Sequence, residues 1–242
     1  MTIRIAMWSG PRNISTAMMR SFENRADTLV VDEPFYAFYL SQTNSPHPMF
    51  DEVIVSQSQD YAEVVSQLTQ ANQALAIEYQ KHMTHHMLQG VDMHWTKQLK
   101  NCFLIREPKE VVQSYTQSRG VCSAEDIGII RQLELYHEIS ALSEQPVPVI
   151  EGKDILAAPQ DMLSKLCEAL GIPFDSNMLH WPTGLRDSDG VWAPHWYHSV
   201  ANSRGFAAAS SSNIQLSPEQ QRVVDEVTPA YEYLRQLKIQ AE

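Results

Sequence analysis

The sequence predicts a three-layer α/β fold, with a mostly parallel sheet of about five strands flanked by helices. Three observations lead there. Short apolar runs without alternation recur along the chain, as strands buried on both faces require. Segments with helical spacing separate them. The first run, Ile3-Arg-Ile-Ala-Met-Trp8, passes through Ser9-Gly-Pro-Arg12 into a helical segment, so a strand–loop–helix unit opens the chain.

The elements follow in order. Thr28-Leu-Val-Val-Asp-Glu-Pro34 is a β-branched run ended by acids and a proline, and reads as a second strand. One helix fits between it and the first, so the pair is parallel. The aromatic run Phe35-Tyr-Ala-Phe-Tyr-Leu40 begins a helix. Residues 41–58, rich in Ser, Gln, Asn and Pro, read as a loop near the site. Residues 60–73 are helical. Ala74-Leu-Ala-Ile-Glu-Tyr79 is a third strand ending at Gln80-Lys81-His82, and residues 83–90 read as a short helix closed by Gly90. Asn101-Cys-Phe-Leu-Ile-Arg106 is a fourth strand, and Pro108 suits the first turn of the helix after it. Residues 124–144 read as one long helix, Val147-Pro-Val-Ile-Glu151 as a fifth strand, and residues 159–170 as an amphipathic helix closed by Gly171. Residues 180–215 hold three tryptophans and little periodicity, and read as a long ordered loop. Residues 217–238 form a C-terminal helix that starts at Ser217-Pro218 and contains Pro229. No linker or repeat divides residues 1–242, so a single domain is expected.

Composition narrows the function. The formal net charge of −11 argues against a general nucleic-acid or anionic-membrane binder. Cys102, Cys122 and Cys167 are odd in number and far apart, which suits neither a disulfide framework nor zinc and fits a reducing cytoplasm. No signal peptide is legible and no run is long enough to span a bilayer, so a cytoplasmic location is expected. Oligomeric state is not legible.

In a parallel sheet of this kind ligands bind beyond the carboxyl ends of the strands. Those ends carry Ser9 to Arg12, Asp32-Glu33, Lys81-His82 and Arg106. The loop Pro11-Arg-Asn-Ile-Ser-Thr16 suits an anion, because amides at a helix N-terminus are free donors and Arg12 adds a guanidinium fork. As an ordinary βα turn it would make Ser15 the N-cap. No Gly-Lys-Ser/Thr follows Gly10, so this is not a Walker A loop. Arg106-Glu-Pro108 with Ser114, eight residues on, forms a second candidate pair. Taken alone it reads as a surface salt bridge and a helix serine. His82 and His86 stand at i, i+4 on the predicted helix, but the set lacks the pattern of a metal site, and no metal is expected.

Taken together, these motifs resemble the sulfotransferase family, whose donor is 3′-phosphoadenosine 5′-phosphosulfate. There a strand–loop–helix unit cradles the 5′-phosphosulfate, and an Arg-x-Pro-x-x-x-x-x-Ser motif holds the 3′-phosphate. The resemblance runs in order from about Ile3 to Met178. It continues through Val149-Ile-Glu-Gly-Lys-Asp-Ile-Leu-Ala-Ala-Pro-Gln-Asp-Met-Leu163 and Leu170-Gly-Ile-Pro-Phe-Asp175. It implies a P-loop NTPase-like fold and transfer of a sulfuryl group to a small-molecule hydroxyl or amine, with no metal required. It implies a donor site of Arg12, Asn13, Ile14, Ser15, Thr16, Arg106 and Ser114, with Arg204 as counterpart of a C-terminal basic element. It implies Glu33 as base with His82 as the alternative, and Lys81 and Arg12 as charge-neutralising groups. Ile14 stands where the family usually has glycine, and a β-branched residue resists positive φ. Two other readings are a P-loop hydrolase or kinase, suggested by Val30-Val-Asp-Glu33, and an inactive nucleotide binder of the same fold, suggested by Ile14.

Overall fold

The sheet order β2 (Thr28–Asp32), β3 (Ile77–Met83), β1 (Ile3–Ser9), β4 (Lys100–Ile105), β5 (Val149–Glu151) places the first strand at the centre, and every pairing is parallel. The computed structural model describes residues 2–70, 75–207 and 214–240. Side chains alternate across each strand. Ile5 and Met7 therefore enter one apolar layer with Tyr79, Cys102 and Leu104, while Ala6 and Trp8 enter the other with Phe103 and Val149. Helices cover both layers, which is why the strands read as continuous apolar runs.

The helices are α1 (Ser15–Glu23), α2 (Tyr36–Thr43), α3 (Phe50–Ser56), α4 (Tyr61–Thr69), α5 (Pro108–Arg119), α6 (Ala124–Ile127), α7 (Ile129–Leu142), α8 (Gly152–Ala157), α9 (Pro159–Leu170), α10 (Ala193–Trp196), α11 (His198–Ala201) and α12 (Pro218–Gln236). The C-terminal helix starts on a Ser217/Gln220 capping box and runs through Pro229.

Several expectations change. The stretch 41–58 is mostly helix, because Phe50-Asp-Glu-Val53 supplies an acidic first turn and Val53 is fully buried. The helix expected over 83–90 is replaced by the end of β3 and one 3₁₀ turn, Thr84–His86. The single helix expected over 124–144 breaks at Gly128, whose φ is +70°. A Cβ there would lie 3.3 Å from Thr84 Oγ1 and 3.6 Å from Pro11 Cδ, so the break lets α6 and α7 pass close over the opening loop. The segment 180–215 contains α10 and α11. Residues 71–73 of the expected fourth helix, Ala74 of the expected third strand and residues 208–213 of the expected loop lie outside the described residues. Among the described residues no helix is long and apolar enough to cross a membrane.

Candidate functional site

The segments that follow β1, β2 and β4, together with the end of β3, line a cleft of about 910 Å³. One end is built by the loop between β1 and α1. Arg12 is its left-handed residue, at φ +56°. The Asn13 amide nitrogen donates to the Leu104 carbonyl (3.1 Å), and Asn13 Oδ1 accepts from the Ile14 N–H (2.8 Å). Asn13 thus pins the loop to the end of β4. Helix α1 begins with no side-chain cap and no acid in its first turn, while Ser15, Thr16 and Ala17 line the cleft. Free helix-start donors therefore face it.

Ile14, not Ser15, is the N-cap residue, and its φ of −84° is ordinary for a β-branched residue. The steric objection to Ile14 falls away, since the strained position in the loop is Arg12. The Ile14 side chain packs instead on the layer holding Met7 and Met18.

Arg12 joins the two sequence motifs. Its Nε donates to Ser114 Oγ (3.0 Å), and an Arg106 guanidinium nitrogen donates to the Arg12 carbonyl. Arg106 also pairs with Glu110 at 2.8 Å. Burial, then the nearby guanidiniums of Arg106 and Arg119, lower the Arg12 pKa. A cation crowded by cations is a place that an anion stabilises.

At the other end, β2 closes on Asp32 and Glu33, the latter at φ +42°. Lys81 reaches from β3 into this corner, buried to 1% exposure. Its Nζ donates to Asp32 Oδ1 (2.9 Å), Glu33 Oε1 (2.6 Å) and the Tyr197 hydroxyl (2.6 Å). The Tyr197 hydroxyl in turn donates to Asp32, and the Gly190 N–H meets Asp32 Oδ2 at 3.1 Å. Burial alone would lower the Lys81 pKa, but Asp32 and Glu33 more than offset it and hold the ammonium charged. The Glu33 carboxyl is raised too, but by burial, with Lys81 opposing. Its Oε2 lies 4.0 Å from His86 Nε2.

Lys81, expected to neutralise substrate oxygens, lines the cleft with all three ammonium donors engaged on Asp32, Glu33 and Tyr197, which makes it a structural pivot of this corner. His82 is removed from the site altogether. Because β3 continues to Met83, His82 points to the opposite face from Lys81. It stacks on Trp8 with ring centres 4.3 Å apart, and burial lowers it to about 3. The histidines that do reach the cleft are His47, His85 and His86. His86 lies flat on Tyr36 and Tyr39 (4.6 and 5.0 Å). Burial lowers His85 to about 3 and His47 to about 4, and His86 well below the usual range, so all three are neutral. Arg204 also departs from expectation. It is exposed beside a neighbouring shallow depression with Gln160 and His180, while Ser203, Gly205 and Phe206 line the cleft without it.

Sequence reasoning missed Arg119 and Tyr197. Arg119 ends α5, on the stretch of that helix following Ser114, and this was a usable signal. Tyr197 sits in a segment without periodicity, which offered none. Among the described residues no group of three or more His, Cys, Asp or Glu side chains is placed to hold a metal ion.

The sulfotransferase domain family matches residues 3–237. Two Arabidopsis thaliana proteins named branched-chain-amino-acid aminotransferase-like protein 1 and 2 are 32% and 29% identical over 231 residues, 96% of this chain. The chain spans 41% of the length of these relatives, so their names describe proteins that extend well beyond the match. A sulfotransferase domain from the curacin biosynthetic pathway superposes with a TM-score of 0.57 at 17% identity, over 94% of this chain and 98% of that one. A sulfotransferase from Alicyclobacillus acidocaldarius gives 0.54 at 10% identity, over 98% and 96%. A mouse sulfotransferase complexed with PAP gives 0.53 at 14% identity, over 97% and 88%. These structures share the fold.

Two outcomes follow from the geometry. Lys81→Met strands two buried carboxylates and should cost about 3–5 kcal/mol in urea unfolding, against under about 1 kcal/mol if the network is dispensable. Ile14→Gly should lower stability by roughly 1–3 kcal/mol without tightening adenosine 3′,5′-bisphosphate binding; a clear gain in calorimetric affinity would restore the glycine requirement.

Proposed function

The chain belongs to the sulfotransferase domain family, and we propose that it transfers a sulfuryl group from 3′-phosphoadenosine 5′-phosphosulfate to a hydroxyl or amine of a small-molecule acceptor. One observation carries the reading: two motifs about a hundred residues apart meet through the Arg12–Ser114 hydrogen bond, beside an uncapped helix start. Residues that would bind a 5′ group and residues that would bind a 3′-phosphate thus share one cleft. The crowding of Arg12 by other guanidiniums fits a ligand rich in negative charge.

In this reading the amides of Ser15 and Thr16, their hydroxyls and Arg12 face the phosphosulfate. They stabilise the charge that gathers on the departing phosphate oxygen as the sulfur–oxygen bond breaks. Arg106 and the Ser114 hydroxyl hold the 3′-phosphate. With His82 in the core, Glu33 takes the proton from the attacking oxygen or nitrogen. Lys81 keeps one Glu33 oxygen fixed and leaves the carboxylate's orientation set by the fold. Ile14 gives no conformational reason for an inactive protein, and the missing Gly-Lys-Ser/Thr weighs against a P-loop hydrolase or kinase. The free Cys102, Cys122 and Cys167 support placing the protein in the cytoplasm.

Arg106→Ala should weaken adenosine 3′,5′-bisphosphate binding by about 1.5–3 kcal/mol in calorimetry, and unchanged affinity would remove Arg106 from the donor site. Turnover should rise with pH along one ionisation whose midpoint lies above the ordinary glutamate value of 4.5, because burial disfavours the Glu33 carboxylate. Glu33→Gln should abolish turnover while leaving bisphosphate affinity intact; wild-type activity in that variant would reject Glu33 as base.

A further inference from the structure

Arg119 stands in the cleft with its charge unused. It occupies the last turn of α5, and its guanidinium lies 4.8 Å from the centre of the Trp196 ring. One nitrogen is 3.5 Å from Nδ1 of His47, an imidazole that burial keeps neutral. Among the described residues Arg119 makes no ion pair, and the acids that line the same cleft are either engaged or exposed. Glu33 is held by Lys81 and Glu110 by Arg106, Asp126 bonds Ser123 and Tyr115, and Glu125 is exposed. The cleft lining also includes Arg12, on which Arg119 acts through its charge, and the aromatic or neutral Tyr36, Tyr39, His85 and His86.

Position relative to the base gives this cation a meaning. The Tyr36 hydroxyl bonds His47 Nδ1 at 2.7 Å. Its pKa is raised by burial first; the Glu33 charge raises it further and the Arg119 charge opposes. Tyr36 also stacks on His86, whose Nε2 lies 4.0 Å from Glu33 Oε2, so the rings of His47, Tyr36 and His86 bridge from Arg119 to Glu33. The Nδ1 atoms of His85 and His86 are buried there without a hydrogen-bond partner among the described residues. A guanidinium laid over an indole keeps its edge free for the two oxygens of a carboxylate.

We infer that Arg119 receives a carboxylate of the acceptor, so that the acceptor is an acid whose hydroxyl or amine is presented to Glu33. This rests on the sulfotransferase reading of the cleft. A cation in a last helical turn is also favoured by the helix dipole alone, but that role is indifferent to the charge of a ligand.

The test is calorimetric titration of the full chain with three matched pairs, each a hydroxy acid and its methyl ester: 3-(4-hydroxyphenyl)propanoate, mandelate and 4-hydroxybutanoate. Each is run with and without adenosine 3′,5′-bisphosphate. At least one acid should bind about tenfold or more tighter than its ester. In Arg119→Gln that preference should collapse to near parity, while bisphosphate affinity falls by less than tenfold, since Arg119 also acts on Arg12 through its charge; Arg119→Lys should keep part of the preference and serves as the folded control. Equal binding of acids and esters, no binding by any of the three acids, or an undiminished preference in Arg119→Gln would overturn the inference. So would a tenfold loss of bisphosphate affinity in that variant, which would move Arg119 to the donor. Failure of the wild type to bind bisphosphate would strike the donor reading instead, and the ratios measured without it would still decide Arg119.

Discussion

The buried ammonium of Lys81 is the contact on which the working end of this molecule depends. It gathers Asp32 and Glu33 from the end of β2 and the Tyr197 hydroxyl from the C-terminal segment. Two carboxylates so placed would repel each other and lose hydration, and a charged lysine with every donor engaged is what makes the corner tenable. Tyr197 and the Gly190 N–H then complete Asp32, so the tryptophan-rich segment is anchored to the sheet edge by the same charge. Glu33 stays at the cleft wall because the network leaves it nowhere else to go.

The opposite end follows an inverse logic. Around Asp32 the protein supplies its own counter-charge. Around Arg12 it does not: burial and neighbouring guanidiniums disfavour the cation, and the first amides of α1 have no cap. One end is thus electrostatically closed and the other is not. That asymmetry gives the cleft a direction, from crowded guanidiniums and uncapped amides to a carboxylate among neutral imidazoles.

Much of this is legible in the sequence because apolar runs and their polar ends are local signals. The five strands and the loop after β1 rest on residue type and spacing; Ser114 meets Arg12, and Arg106 meets the Arg12 carbonyl and Glu110. The errors have a common source in contacts that spacing does not carry. Lys81 and His82 read as polar residues at a strand end; β3 runs on to Met83, and the alternation of a strand sends them to opposite faces. The break at Gly128 is set by close approach to Thr84 and Pro11, far away in sequence. Ile14 looks suspect where a glycine is expected, yet the left-handed residue is Arg12, and only the backbone reveals it. The polar composition of 41–58 hides α3, which docks through the fully buried Val53 with Phe50 and Ile54 packed beside it.

The central claim is that one cleft holds two phosphate groups of an adenosine nucleotide. Its most direct measurement is metal-free calorimetric titration of the wild-type chain with adenosine 3′,5′-bisphosphate, with 5′-AMP as the single-phosphate control. The expected result is one site per chain, with the bisphosphate at least about tenfold tighter, as charged hydrogen bonds to the second phosphate require. Equal affinities, or no binding, would contradict it.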